Sequence, residues 1–312
     1  MNKLRFYWKW YTRLLLAKCG LYDPWKGKEG TLTCLVLHGV CQNYQAYING
    51  RFIRDAELDL VIRILQRKVS FVSLKQVLEN ELDPKRPNVL LTFDDGYRNN
   101  LSLALPILTK HQVPAVICVT GQQEPLWMDI LDLLQAFHPS KLQSIYKKLG
   151  LQSNQAIKKY VGHLELKEML LFTEQLRGLL SQTYLIADQH LFVDLLTEDE
   201  IVKLNEHPLI ELVNHGFHHA HAESLSDVEL LEEFEKMKIR LENIHCSFTD
   251  VIALPFGKLS AEQSQYLFQN GFKHQLMTDE KYSHEHQISR ITYNPFFSPK
   301  LNSLVLGNGG FH

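Results

Sequence analysis

The sequence predicts an α/β protein whose strands run parallel, joined by helical crossovers and interrupted by one helical insertion. Three observations predict it. Short apolar runs of strand length alternate with segments of helical periodicity, the pattern that parallel strands require because each crossover needs a dozen or more residues. Two of those runs end abruptly in clusters of carboxylates or imidazoles, at the strand tips that parallel α/β folds leave open for chemistry. Between Gly121 and Leu196 the alternation stops, and the chain reads as helices only.

The elements follow in order. Leu32-Thr33-Cys34-Leu35-Val36-Leu37 is a strand ending in His38-Gly39-Val40, and a loop from Cys41 to Arg51 leads to a helix around Asp55 to Arg67. Phe71-Val72-Ser73 is a short strand, followed by a helix from Leu74 to Leu82 and a turn at Asp83-Pro84. Val89-Leu90-Leu91-Thr92-Phe93 is a buried strand that stops at Asp94-Asp95-Gly96, with Gly96 free to make the turn. A helix around Asn100 to His111 passes through Pro114 into the strand Ala115 to Thr120. Helices are expected over Ile130 to Phe137, Ser140 to Leu149 and Leu164 to Thr183.

Capping boxes at Thr197-Glu198-Asp199-Glu200 and Ser226-Asp227-Val228-Glu229 open the helices on either side of the strand Leu209 to Val213. Val251 to Leu254 is a strand entering the tight turn Pro255-Phe256-Gly257, and Phe272 to Met277 and Ile288 to Ile291 are the last strands. The expected organisation is an N-terminal basic and aromatic helix (1–30), an α/β unit (31–300) with an insertion at about residues 122–196, and a tail (301–312).

Composition narrows the function. With 33 Lys+Arg, 35 Asp+Glu and a net charge of -2 in 312 residues, the chain lacks the basic excess of a nucleic-acid binder. Its five cysteines have no metal-type spacing, and Cys34 and Cys118 fall inside strands; reduced core thiols point to the cytoplasm. Residues 3–18 mix Lys and Arg with Phe, Tyr and Trp, but lack both a signal-peptide core and the ~20 apolar residues of a membrane span. That helix is an ordinary packing helix or an interfacial one giving peripheral membrane contact.

The chemistry sits at two strand tips. Neighbouring strand residues face opposite sides, so Asp94 and Asp95 are set for different tasks, one to hold a cation and the other to handle a proton. Asp-Asp-Gly alone is equally a turn. The second cluster, Asn214-His215-Gly216-Phe217-His218-His219-Ala220-His221, weighs against that, because His215 and His219, four apart, would share one face of a helical turn. Two imidazoles and a carboxylate, with a position left for water, form the ligand set of a hydrolytic zinc site. His218 and His221 read as bystanders, and Trp127 as a core aromatic in preference to a sugar-stacking one.

Thr92-Phe93-Asp94-Asp95-Gly96-Tyr97, Asn214 to His219 and Ala253-Leu254-Pro255-Phe256-Gly257, in that order, resemble the motifs of the polysaccharide deacetylase (NodB-like) family over roughly Thr31 to Ile291. The resemblance implies a distorted, incomplete (β/α) barrel and removal of acetyl groups from an acetylated glycan or polysaccharide with a divalent metal, commonly Zn2+. By motif position it assigns Asp95, His215 and His219 to the metal and Asp94 to the general base. The backbone N–H of Phe256 would meet the oxyanion.

Three positions depart from the family pattern. Gly216 replaces the usual Ser or Thr, Ala253 the usual arginine and Phe256 the usual tyrosine, and the late Leu-x-His that carries the acid histidine is not evident. Leu35 to Val40 instead resembles the strand ending in Tyr-His-x-Val of the exopolysaccharide and envelope-glycan branch, which makes His38 the candidate general acid. Arg290, in a segment like that branch's Pro-Arg-Ile, would hold Asp94 ionised. His274, His284 and His286 compete with His38 as acids. Another C–N hydrolase on the same scaffold, or an inactive glycan-binding relative, are the alternative readings.

Overall fold

The computed structural model describes residues 21–43, 49–151, 153–183, 185, 187–278 and 286–307, together with 8, 11–13, 15, 16 and 19. Of the N-terminal helix expected at 1–30, residues 8, 11–13, 15 and 16 are helical and 21–30 are turns and coil, so the expected helix does not reach residue 30; the rest of 1–20 apart from residue 19, and His284, lie outside the described residues.

Strand β1 (Leu32–Leu37) leads to a two-strand pair, β2 (Val40–Cys41) with β3 (Ile53–Arg54). Helix α1 (Asp55–Gln66), β4 (Ser70–Phe71), α2 (Leu74–Leu78) and β5 (Asn88–Phe93) follow. Helix α2 stops short of the expected Leu82 because Asn80 turns left-handed, at φ +56°. A π-helical stretch, Asn100–Ala104, runs into α3 (Leu105–His111), with Pro106 in its first turn unable to donate a helix hydrogen bond. β6 (Ala115–Val119) then enters the insertion: α4 (Trp127–Phe137), α5 (Pro139–Leu149), α6 (Asn154–Val161), α7 (Leu166–Ser181) and the short α8 (Ala187–His190).

After it come α9 (Glu198–Asn205), β7 (Ile210–Asn214), α10 (Asp227–Asn243), β8 (Val251–Ala253), α11 (Ala261–Gln269), β9 (His274–Thr278), β10 (Gln287–Thr292) and α12 (Pro299–Leu306). Both capping boxes read from the sequence are formed, at Thr197 and Ser226. Helices α6, α8, α11 and α12 were not expected. α12 packs its buried Leu304, Val305 and Leu306 near α1, so ordered structure continues past residue 300.

Seven strands close a parallel ring in the order β1, β5, β6, β7, β8, β9, β10 and back to β1. One strand fewer than the eight of a complete barrel makes it incomplete. β4 accounts for part of the distortion: it pairs with Asn88 and Val89 at the start of β5, leaving Leu91 to Phe93 for β6. All six residues of β5 are buried, as expected of a strand covered on both faces.

Strand alternation sorts the side chains. Cys34, Leu90, Val116, Cys118, Val213, Val251, Ala253 and Leu276 form one cluster, while Leu35, Leu37, Val89, Leu91, Phe93, Ala115, Ile117, Val119 and Leu212 belong to another with the surrounding helices. The first set is the ring's interior. Counting on by twos brings His38, Asp94, Thr120 and His215 to the interior's open end, and Arg290 shares that inward parity on β10. The insertion is packed onto this end. Its Trp127, Ile130, Leu131 and Leu134 share a cluster with Phe52, Tyr97 and Leu254, and Leu195 pairs back against Tyr97. Trp127 is core, with only 2% of its surface exposed.

Candidate active site

Asp94 and Arg290 occupy the ring's interior. The guanidinium donates to both carboxylate oxygens, Nη1 to Oδ1 at 2.7 Å and Nη2 to Oδ2 at 2.9 Å. It also donates to Thr92 Oγ1, Thr278 Oγ1 and the Met277 carbonyl. Arg290 is wholly buried, so the fork geometry that suits a carboxylate is held without competition from water. Burial raises the Asp94 carboxyl, but Arg290, helped by His215, outweighs it and keeps the carboxyl below its ordinary value. The Asp94 N–H donates to the Leu37 carbonyl at 2.9 Å, which ties the tips of β5 and β1 together.

Asp95 turns away from that pair. It and Gly96 both take left-handed backbone, φ +74° and +72°, and a Cβ on Gly96 would lie 3.4 Å from the Val119 backbone. The turn brings Asp95 Oδ1 to 3.0 Å from His219 Nε2 and 3.4 Å from His215 Nε2. Ligand atoms of the three residues lie within 4.8 Å of one another, and all three side chains are buried. His215 Nδ1 is 2.9 Å from the Ala253 carbonyl, a contact that puts the proton on Nδ1 and leaves Nε2 as the ligand. Asp95 Oδ2 is buried with no hydrogen-bond partner, which fits a cation's place. Burial raises the Asp95 carboxyl, yet His219, His215 and His38 hold it well below the carboxylate range.

The helical turn expected between the two histidines is not formed. Residues 215–221 are loop, bent by left-handed Gly216 (φ +74°) and His219 (φ +55°), and it is this bend that brings the two imidazoles together. Their ring centres lie 5.1 Å apart. Gly216 N–H donates to Asn214 Oδ1, and the backbone conformation accounts for glycine where a hydroxyl residue was looked for.

His38 is half-buried just past the tip of β1. Burial pushes its imidazole down to about 4; Asp95 and Asp94 pull it up, and Arg51 and His215 push it down further. Its loop is pinned on both sides. A Cβ on Gly39 would collide with the Phe52 ring at 2.3 Å, and the Val40 N–H donates to Asn99 Oδ1 at 2.8 Å. The rivals lie elsewhere: His274 opens β9 and His286 precedes β10, so both sit toward the ring's opposite end. Phe256 is left-handed at φ +61° and 36% exposed, stacked on His221 with ring centres 3.3 Å apart and tilted against His219 at 5.1 Å.

One group escaped the sequence reading. Arg51 donates to Tyr97 Oη at 2.9 Å and to Asn49 Oδ1 at 3.2 Å, and pairs with Asp129 from the insertion's first helix. Asp129 also accepts from Tyr97 Oη and Asn49 Nδ2. Burial drives the Asp129 carboxyl up to about 7 against the pull of Arg51, whose charge is also felt at Asp95, His38 and His219. The available signal was a lone carboxylate in the apolar run Trp127-Met128-Asp129-Ile130-Leu131.

The carboxylate and two imidazoles that meet at the strand tips of this parallel barrel are a donor set able to hold a metal ion. The sequence matches the polysaccharide deacetylase family over residues 81–274, and the chain belongs to that family, hydrolases that remove acetyl groups from glycans. No curated protein matches the chain significantly. Among solved structures it is similar to the Streptococcus pyogenes deacetylase PplD in complex with acetate, at 17% identity and TM-score 0.56 over 86% of this chain and 95% of that one. IcaB from Ammonifex degensii gives 14% and 0.58 over 89% and 97%. A de-N-acetylase from Aggregatibacter actinomycetemcomitans gives 15% and 0.53 over 87% and 99%.

Proposed function

We propose that the protein is a divalent-metal-dependent deacetylase, most suited by its donor set to Zn2+, acting on N-acetyl groups of a polysaccharide or glycan precursor of the exopolysaccharide and envelope type. The observation that carries this reading is that two adjacent carboxylates have separate main partners: Asp95 lies against the imidazoles of His215 and His219, and both oxygens of Asp94 are bound by the guanidinium of Arg290. Asp95, His215 and His219 would hold the metal, two nitrogens and a carboxylate being the ligand set of a hydrolytic site. When bound, such an ion lowers the pKa of water towards ~7 and polarises the acetyl carbonyl.

The other steps belong to the chain. Asp94, kept ionised by Arg290, accepts the proton of the attacking water. The turned backbone at Phe256 offers its N–H to the oxyanion, and its exposed ring offers an apolar face beside His219. An amine is a poor anionic leaving group, so an amide substrate needs a proton donor more than an ester does. His38 fills that role. Burial leaves it neutral at pH 7 in the free protein, so it would first take up a proton from solvent as negative charge builds on the acyl centre, and then pass that proton to the departing amine. Asp129, from the insertion, pairs with Arg51, from the loop between β2 and β3, and ties the insertion to the strand-tip side of the ring.

Metal analysis of the purified protein, paired with acetate release from acetylated glycans, tests the reading. One zinc per chain and release from N-acetylated substrates are expected, with both lost in His215→Ala. Full metal content and activity in that variant would refute the site.

A further inference from the structure

The loop that carries both imidazoles holds a strained backbone, and something must keep it there. His219 is a left-handed non-glycine residue, a conformation that costs energy and persists only when its surroundings over-determine it. The restraint comes from α10. Glu233, 3% exposed on that helix, accepts the backbone N–H of His218 at 2.7 Å with Oε2, and its Oε1 meets His218 Nδ1. One residue along, the Phe234 carbonyl accepts from Asn214 Nδ2 at 2.8 Å. α10 thus grips the loop before His215 and immediately before His219.

Glu233 is an expensive way to hold a loop. A carboxylate buried in a helix facing the core loses its hydration, and His218 is the ionisable group it meets. Its second oxygen also lies beside Gly216, where a Cβ would come to 3.7 Å from Oε2. The loop's left-handed glycine, the carboxylate and the imidazole of His218 make one fitted unit, and none of the three is a ligand.

We infer that Glu233 is a positioning residue for the metal site, which sets metal affinity by clamping His218 and so holding His219 in the conformation that aims Nε2 at Asp95. The inference rests on the metal-site reading above. Partners that orient metal ligands commonly contribute about 10–100-fold to affinity, and preorganising the loop acts through the same cost of ordering.

The test measures zinc affinity of the metal-free protein by competition with a chromophoric chelator, with urea unfolding of the same samples. Glu233→Ala should weaken zinc about 10–100-fold. Glu233→Gln, which keeps an acceptor for the His218 N–H, should restore part of the loss. His218→Ala should weaken zinc less than Glu233→Ala, and the double variant no more than Glu233→Ala alone, since both act through one clamp. Cobalt-substituted protein adds a spectroscopic readout: the d–d bands should shift in Glu233→Ala, which a loss of global stability alone would not produce. Zinc affinity within about twofold of wild type in Glu233→Ala overturns the inference. If that variant does not fold, Glu233→Gln and His218→Ala decide it by the same criterion. A wild type that binds zinc no better than His215→Ala overturns the metal-site reading together with this one, whereas tight wild-type binding with an unaffected Glu233→Ala overturns this one alone.

Discussion

Replacing Arg290 with Met removes the cation from the middle of the ring while keeping a long side chain to fill its space. The structure says what is left behind. Both Asp94 oxygens lose a donor, at 2.7 and 2.9 Å, and the carboxylate stays buried beneath the insertion. Breaking a buried pair from one side typically costs about 3–5 kcal/mol, most of it the uncompensated charge. That cost depends on pH with a definite sign. In the wild type the folded-state pKa of Asp94 is depressed, so the pair's stabilisation is present above the carboxyl's ordinary value and is lost as pH falls through the folded value. Without Arg290 burial dominates, the folded pKa lies above the unfolded one, and the contribution reverses: it is favourable at low pH and lost as pH rises. The difference in unfolding free energy between wild type and Arg290→Met should therefore approach about 3–5 kcal/mol near pH 7 and shrink towards pH 4. Urea unfolding of metal-free samples across that range measures it, with other titrating groups cancelling in the difference. Arg290→Met in an Asp94→Asn background should recover much of the loss at pH 7. A penalty that stays constant from pH 4 to pH 8 would show that Arg290 acts by packing alone and does not hold Asp94 ionised.

Two further outcomes follow from the separate partners of the site residues. Asp94→Asn should keep its zinc and lose about 10²–10⁴ in turnover, as expected of a general base; near-normal turnover in acetate-release assays would remove that role. His38→Ala should leave metal content unchanged and abolish the basic limb of kcat against pH, while a variant that retains both limb and turnover would assign the departing amine's proton to another group.

Strand alternation made much of the site legible. Asp94 and Asp95 end a run of buried residues, and inward parity from Cys34, Leu90 and Val213 leads directly to His38, Asp94 and His215. Local rules failed where the backbone leaves regular structure. The spacing of His215 and His219 suggested a helical turn, because spacing alone does not encode the left-handed bends at Gly216 and His219. Arg290 drew attention through family resemblance, since one basic residue in a terminal strand has no periodic signal of its own. For Arg51 and Asp129 the sequence offered at most the lone carboxylate in an apolar run, and nothing that pairs the two: they are 78 positions apart and meet only because the insertion folds back on the loop after β2. Helix α11 has its own capping box, Ser260 with Gln263, a local signal of the same kind as those at Thr197 and Ser226.

The way the insertion is seated has a consequence for how such a chain can change. Trp127, Ile130 and Leu131 are continuous with Phe52, Tyr97 and Leu254, so the helices are not an appendage that can be trimmed or exchanged while the ring stays intact. Excising them would strip cover from Tyr97 and leave the motif loop that carries Asp95 to find new neighbours. Variation in what the protein accepts would then be confined to the insertion's outward residues and to the rim around Arg51, while its underside is bound to the ring's own fate, and a destabilising change deep in α4 should surface as a defect at the strand tips.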